Sequence, residues 1–357
     1  MDKKITEEIN LKCSIKIKKE IKRDLVSLLK LHNKNSLKEI YFSIKKEETD
    51  SNSKDLVSKI FNELTKKEVL CIFLKNMLEN EYDVLIELLN NNGLSQDNYV
   101  KFSKYDYLFN YGIAYPLNYE NKVYIVISNE VLDILNDIDI YSYKSKILEN
   151  NRLYDLANSM INLYGVVPFD LFLDYLKKYY GYKDLNKIDL DCLYLTYRKN
   201  CIVNFSTQKN IYFTNPIYLD EESDKTIIYR VISLIEDDLF KFDFKNINLD
   251  DLLKYKDMYY YEKTDSVEKF IKYLESKNMS YEDIDLLVSC IVETFRKNYQ
   301  ESIMFLNEIF EDTKYIINEN NIDEVLLYIN GIVNDISIWG NKGWTNKDII
   351  LNKHLDT

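Results

Sequence analysis

Glycine and proline are scarce in this chain, with 7 Gly and 3 Pro among 357 residues. That shortage excludes a collagen-like chain and argues against β-solenoids and nucleotide folds built on a Gly-rich phosphate loop. Histidine is scarcer: only His32 and His354 are present, which leaves little material for His-based catalysis or a His-rich metal centre. The five cysteines, Cys13, Cys71, Cys192, Cys201 and Cys290, are odd in number, widely spaced and without a CxxC. They predict free thiols in a reducing compartment, not disulfides or a zinc site. No window approaches 18 consecutive apolar residues, and the charged start, Met1 to Asn10, is not followed by a continuous apolar stretch. A membrane span and a signal peptide are therefore not expected, and the predicted location is cytoplasmic. An overall excess of basic charge is also missing. The net charge of −12 argues against a protein that simply coats nucleic acid.

What is present suits a globular chain. Hydrophobic residues are 46% and charged residues 30%, enough to bury real cores, and the length suits two or three domains. The 31 Tyr and 16 Phe read as packing material. Charge is uneven. Residues 1–75 carry 18 Lys+Arg against 12 Asp+Glu, a net of +6, which leaves −18 for the rest. A basic head on an acidic body predicts that the head meets phosphate or an acidic partner; the plainer reading is a solvated Lys/Glu helix surface.

Periodicity sets out an order of elements. Ile15, Ile17, Ile21, Leu25, Leu28 and Leu29 predict an amphipathic helix within 1–30. A helix beginning at Ser36, a polar break over Lys45–Ser53 and a helix from Lys54 to Leu64 give two short helices around an extended link, the layout of SAP-like or Rho-N-like modules. Thr65-Lys-Lys-Glu68 reads as a capping box opening the next helix. Helices over Glu81–Leu89 and Asp97–Tyr111, ending at Gly93 and Gly112, precede a β-hairpin made by Ile113–Leu117 and Val123–Ile127. Three helices and a hairpin is the order of a winged helix. The order repeats loosely: Leu153–Leu163, a helix between Pro168 and Gly181, Asp189–Lys199, then Cys201–Phe205 with Asn210–Phe213. Helices carrying Phe270, Leu287 and Ile329 predict a C-terminal bundle. The expected fold is thus mainly α with small β-hairpins. It divides into a SAP/Rho-N-like head (1–64), two winged-helix-like blocks (65–150 and 151–220) and a helical bundle with a Trp/Gly tail (221–357).

The tail Asn334-Asp-Ile-Ser-Ile-Trp339-Gly-Asn-Lys-Gly343-Trp-Thr345-Asn-Lys-Asp348-Ile349 resembles the N-x-x-R-x-W-x-x-x-G-x-T-P-x-E-L end of a largely uncharacterised family of Firmicutes-type proteins. Some of those have a Rho-N-like start and many a SEC-C zinc motif downstream. Asn334, Trp339, Gly343 and Thr345 match, with Asp348-Ile349 conservative. Ser337 stands at the arginine position and Asn346 at the proline position, and no Cys-rich SEC-C segment is present, so its metal does not carry over. The resemblance implies architecture more than activity.

Candidate chemistry is thin. Gly340–Thr345 lacks phosphate-loop spacing and reads as a turn stacking Trp339 and Trp344 on the bundle. Asp189 with Asp191, Glu221-Glu222 with Asp224, and Glu236-Asp237-Asp238 are acidic clusters without a nearby His, and they read as solvated loops and caps. No cysteine is placed beside a base; Cys71, Cys192 and Cys290 read as core. No catalytic residue, metal or cofactor is expected. The remaining function is binding: a non-enzymatic regulatory or adaptor protein touching nucleic acid through Lys45, Lys46, Lys54, Lys101, Lys104 and Lys122. The second block's third helix offers Arg198 and Lys199, but Asp189 and Asp191 open it and repel phosphate. The alternative is a protein–protein interaction scaffold without nucleic acid, which suits the acidic body better.

Overall fold

The computed structural model describes residues 10, 13–18, 20–99, 101–182, 203–206, 211–214, 222–236, 243–297 and 321–353, and short polar residues start most of the helices among them. The fold is mainly helical and divides into two compact units, Met1–Arg152 and Leu153–Thr357.

In the first unit, strand β1 (Ile15–Lys16) precedes α1 (Leu25–Leu29), α2 (Lys34–Lys45), α3 (Ser53–Leu64), α4 (Lys67–Lys75) and α5 (Glu79–Asn90). Asp24, Asn33 and Asn52 cap α1, α2 and α3 by accepting from the backbone N–H of Ser27, Ser36 and Asp55. Strand β2 (Leu94–Gln96), the short helix α6 (Asp106–Asn110), the hairpin β3 (Ala114–Tyr119) and β4 (Lys122–Ile127), and α7 (Asn129–Asn136) follow. The hairpin turns on Glu120 and Asn121, both at positive φ, the geometry that matches strand twist in a two-residue loop. The sheet runs β1-β3-β4-β2, with β1 parallel to β3 and the other pairs antiparallel. One core joins the helices to this sheet, from Leu25, Leu28 and Leu37 through Ile60 and Phe73 to Tyr115 and Ile127.

Three expectations change here. The 1–30 stripe is not one helix: Asn10 and Cys13 are helical, Ile15 then pairs with Leu117 in the sheet, and helix resumes at Leu25. The edge of β3 offers unmet backbone groups, and pairing there satisfies them. Thr65 does not open α4; its hydroxyl bonds back to the Phe61 carbonyl, closing α3. The helix expected over 97–111 is mostly absent. Asp97 N–H bonds the Val123 carbonyl and extends the strand edge, a 3-10 turn covers Phe102–Lys104, and only Asp106–Asn110 is α-helical. Pairing of Leu94–Gln96 with Tyr124–Val126 outweighs a weak helical stripe.

In the second unit, the end of α8 (Lys144–Tyr164) leads through β5 (Val167–Pro168) to α9 (Phe169–Tyr180), then β6 (Val203–Ser206), β7 (Ile211–Thr214) and α10 (Glu222–Glu236). The expected third helix over 189–199, with Asp189, Asp191, Arg198 and Lys199, lies outside the described residues. The sheet runs β5-β7-β6. It repeats the first unit's β2-β4-β3 pattern: a helix, a glycine at positive φ (Gly93 or Gly165), a short strand, and later a hairpin whose second strand pairs antiparallel with that strand. Short α11 (Leu249–Leu252) then precedes a bundle of α12 (Asp265–Ser276), α13 (Tyr281–Lys297) and α14 (Ile322–Asp335), with Phe270, Val288, Ile291, Val325 and Ile332 in its core.

The Trp/Gly tail is structural. Trp339 packs against Ile228, Val231 and Ile232 of α10, within the 221–357 segment expected to form the bundle, and also against Val166 and Tyr212 outside it; its Nε1 donates to the Asn162 carbonyl at 3.1 Å. Ile336 leaves α14 in an extended conformation, and a bridge between Ser337 and Thr345 reverses the chain. Trp344 Nε1 donates to Asp243 O at 2.9 Å. Thr345 and Asp348 cap α15 (Asn346–Lys353) reciprocally, Asp348 N–H bonding Thr345 Oγ1 and Thr345 N–H bonding Asp348 Oδ2. Two glycines make the close approach possible. A Cβ on Gly165 would lie 2.3 Å from Trp339 Cδ2, and one on Gly343 would lie 2.7 Å from Tyr164 Cε1. Behind the turn, the buried Arg296 and the half-buried Glu262 form an ion pair at 2.7 Å, which the Tyr255 hydroxyl and the Ser337 N–H complete by donating to Glu262 Oε1. Burial works to raise the Glu262 pKa, but Arg296 and these donors outweigh it and hold the carboxyl below its ordinary value.

Candidate binding surface of the N-terminal unit

The two helices of the head lie side by side and parallel. Lys45 reaches Glu63 at 3.8 Å and Lys59 sits over the Tyr41 ring at 5.6 Å, so the C-terminal halves of α2 and α3 are neighbours. The link between them must therefore run back along the pair. Its Asp50 meets Lys38 at 3.4 Å, and Lys59 donates to Ser51 Oγ at 2.8 Å. Arg23 locks the entry to α1: its guanidinium donates to the carbonyls of Asn92 and Ile127, and Glu130 accepts from the Leu25 N–H at 2.8 Å.

This parallel arrangement opens a groove of about 420 Å³ between α1, α2 and α3. Val26, Leu37, Val57 and Phe61 supply its apolar walls; Lys30, Lys54, Ser53, Ser58, Asn62 and His32 supply its polar ones. From α3 come Ser53, Lys54, Val57, Ser58, Phe61 and Asn62, two ridges of one helical face spanning about 13 Å at 1.5 Å per residue. No carboxylate lines it. His32 closes the floor, its ring edge-on to buried Tyr115 with centroids 5.6 Å apart. Its Nε2 is buried without a hydrogen-bond partner, and burial lowers its pKa, so the imidazole is neutral at pH 7.

All six lysines expected to bind are exposed, but they do not form one patch. Lys45 and Lys46 end α2, Lys45 beside Glu63 and Lys46 at positive φ over the Phe42 and Tyr111 rings. Lys54 lines the groove toward the other end of the helix pair, about 13 Å along α3 from Glu63. Lys101 precedes and Lys104 ends the 3-10 turn next to Tyr105, whose pKa is raised by burial and by the charges of Glu87 and Asp97. Lys122 begins β4 at the hairpin turn. Acidic neighbours and separation thus split the set. Lys30 and His32 are the residues that sequence reasoning missed; the only signal was a polar interruption between two apolar stripes.

Among the described residues, no group of three or more His, Cys, Asp or Glu is placed to hold a metal ion. Of the acidic clusters, Glu236 accepts from the Tyr212 hydroxyl at 3.0 Å. Asp189, Asp191, Glu221, Asp237 and Asp238 lie outside the described residues. Cys71 and Cys290 are half-buried and Cys13 is exposed; Cys192 and Cys201 lie outside the described residues. No described helix is long and apolar enough to cross a membrane. Comparison of the chain with protein-family models, curated proteins and solved structures finds no match in any of the three.

Proposed function

We propose that this chain is a non-enzymatic regulatory or adaptor protein, located in the cytoplasm, that acts by docking another protein on its N-terminal unit. The observation that carries this reading is the groove between the parallel helices: apolar walls, two lysines on its margin and no carboxylate in its lining. A surface with an apolar centre and a charged rim is the anatomy of protein recognition. The scattered lysines favour a protein partner over a phosphate track, because non-specific nucleic-acid affinity grows with the number of phosphates neutralised together.

A second reading has one specific observation in its favour. Two parallel helices with a returning link support a SAP/Rho-N-like head, and the β2-β4-β3 and β5-β7-β6 sheets support two winged-helix-like blocks. Such modules suggest nucleic-acid contact through Lys45, Lys46, Lys54, Lys101, Lys104 and Lys122. Affinity capture from the cells that express the protein, followed by mass spectrometry, tests the first reading. It expects a defined protein partner that survives nuclease treatment. A gel-shift series on the full chain tests the second. Steeply salt-dependent binding to duplex or single strand, with no nuclease-resistant protein partner, would overturn the adaptor reading.

A further inference from the structure

The groove's shape and charge say more about what it takes. Its lining follows α3 from Ser53 to Asn62, with Ser53, Val57 and Phe61 on one ridge and Lys54, Ser58 and Asn62 on the next. Ridges at i, i+4 and i+8 are what a second helix packs against. Val26 and Leu37 face these ridges from α1 and α2, so an incoming apolar stripe meets walls on both sides. Lys30 and Lys54 are exposed, neither has an ion-pair partner among the described residues, and they lie where the polar flank of such a helix would emerge. Leu31, 39% exposed, extends the apolar surface next to Lys30.

The geometry points to an amphipathic, acidic helix of a partner protein as the occupant. Its apolar residues at i, i+3, i+4 and i+7 lie on the half-buried Val26 and Phe61, over a floor made by the buried Leu37 and Val57, and its carboxylates meet Lys30 and Lys54. Charge complementarity decides the sign: every ionisable group of the lining is basic, and a basic helix or an uncharged one leaves both lysines without a counterion. A phosphate backbone would match the lysines but not the apolar walls between them. The inference rests on the adaptor reading and adds the chemistry of the docked segment.

Fluorescence anisotropy on the full chain tests it. The probe is a fluorescein-labelled peptide of about 18 residues, with Leu and Phe at the spacing above and Glu elsewhere. Its controls are a scrambled peptide of the same composition, a Lys-for-Glu version, and a labelled oligo-dT strand. The expected result is binding of the acidic amphipathic peptide only, weakened about tenfold or more by Lys30→Glu with Lys54→Glu and by Ser58→Trp, which fills the groove from an exposed position. Lys122→Glu, away from the groove, changes it less than about twofold. Circular dichroism confirms that each variant folds. Absence of peptide binding, equal binding of the scrambled peptide, indifference to the groove variants, or oligo-dT displacing the peptide would each overturn the proposal. A captured partner that binds the groove variants normally would sink this inference and leave the adaptor reading standing; no captured partner would sink that reading itself.

Discussion

Replacing Gly165 with alanine tests the packing of the tail turn directly. Gly165 follows α8 at φ +75°, and an added Cβ would lie 2.3, 2.5 and 2.6 Å from three indole carbons of Trp339. The indole cannot swing away cheaply, because Nε1 bonds the Asn162 carbonyl and the ring is walled by Val166, Tyr212 and Val231. Two costs add. A non-glycine residue in the left-handed region costs about 1–2 kcal/mol, and overpacking a filled core costs about 1–3 kcal/mol. The restricted unfolded chain returns about 0.4–1 kcal/mol, so Gly165→Ala is expected to destabilise the C-terminal unit by about 1–5 kcal/mol, centred on about 3. Gly181 is the matched control: it also sits at positive φ (+69°) past a helix end, but its Cβ meets nothing within 4 Å. Gly181→Ala should therefore cost only the backbone difference, about 1 kcal/mol. Both tryptophans, Trp339 and Trp344, lie in the C-terminal unit, so their fluorescence during urea unfolding reports that unit alone. In a Trp339→Leu background, with Trp344 as reporter, the Gly165→Ala cost should fall toward the Gly181→Ala cost. Equal costs at the two glycines, or no coupling to Trp339, would refute the reasoning.

Arg296→Met leaves the half-buried Glu262 without its cation and should destabilise the C-terminal unit by about 2–4 kcal/mol, while Arg296→Met with Glu262→Leu should recover most of that loss in the same urea assay. Because the Glu262 pKa is depressed in the fold, its stabilisation is full above the ordinary carboxylate range and is lost as pH falls through the lowered folded value; Glu262→Gln should flatten the acid limb of the unfolding curve. His32 also has a lowered folded pKa, but as a base: the unfolded chain takes its proton first, so stability is full above about pH 6.5 and declines below it. Protection factors of N-terminal-unit peptides in hydrogen exchange, corrected for the slower intrinsic exchange at lower pH, should fall between about pH 7 and 5, and His32→Leu should reduce that fall. Thr345→Ala removes the cap of α15 and should cost about 1 kcal/mol, read as earlier fluorescence unfolding.

Some of this architecture is written in local chemistry. Asn91-Asn-Gly93 and Gly112 end their helices at positive φ, Ser128 caps α7, Gly181 closes α9, and both hairpins fall where alternation and polar turns put them. These features depend on neighbours within a few residues, so the sequence states them plainly. The basic candidates were legible only as residues. Whether Lys45 and Lys54 share a surface depends on helices running parallel and not antiparallel, and nothing in either helix encodes that direction.

The sequence by itself determined helix caps, turns, the apolar stripes and the uneven charge, because each is a property of a short segment in water. Only the tertiary structure decided that Ile15 joins a sheet, that Asp97 extends the β2 edge where a helix was expected, that Trp339 seats on Gly165, and that Lys30, His32 and Lys54 line one groove. Those outcomes rest on backbone hydrogen bonds and packing between segments from about 20 to more than 170 residues apart, where burial and unmet donors outweigh local preference.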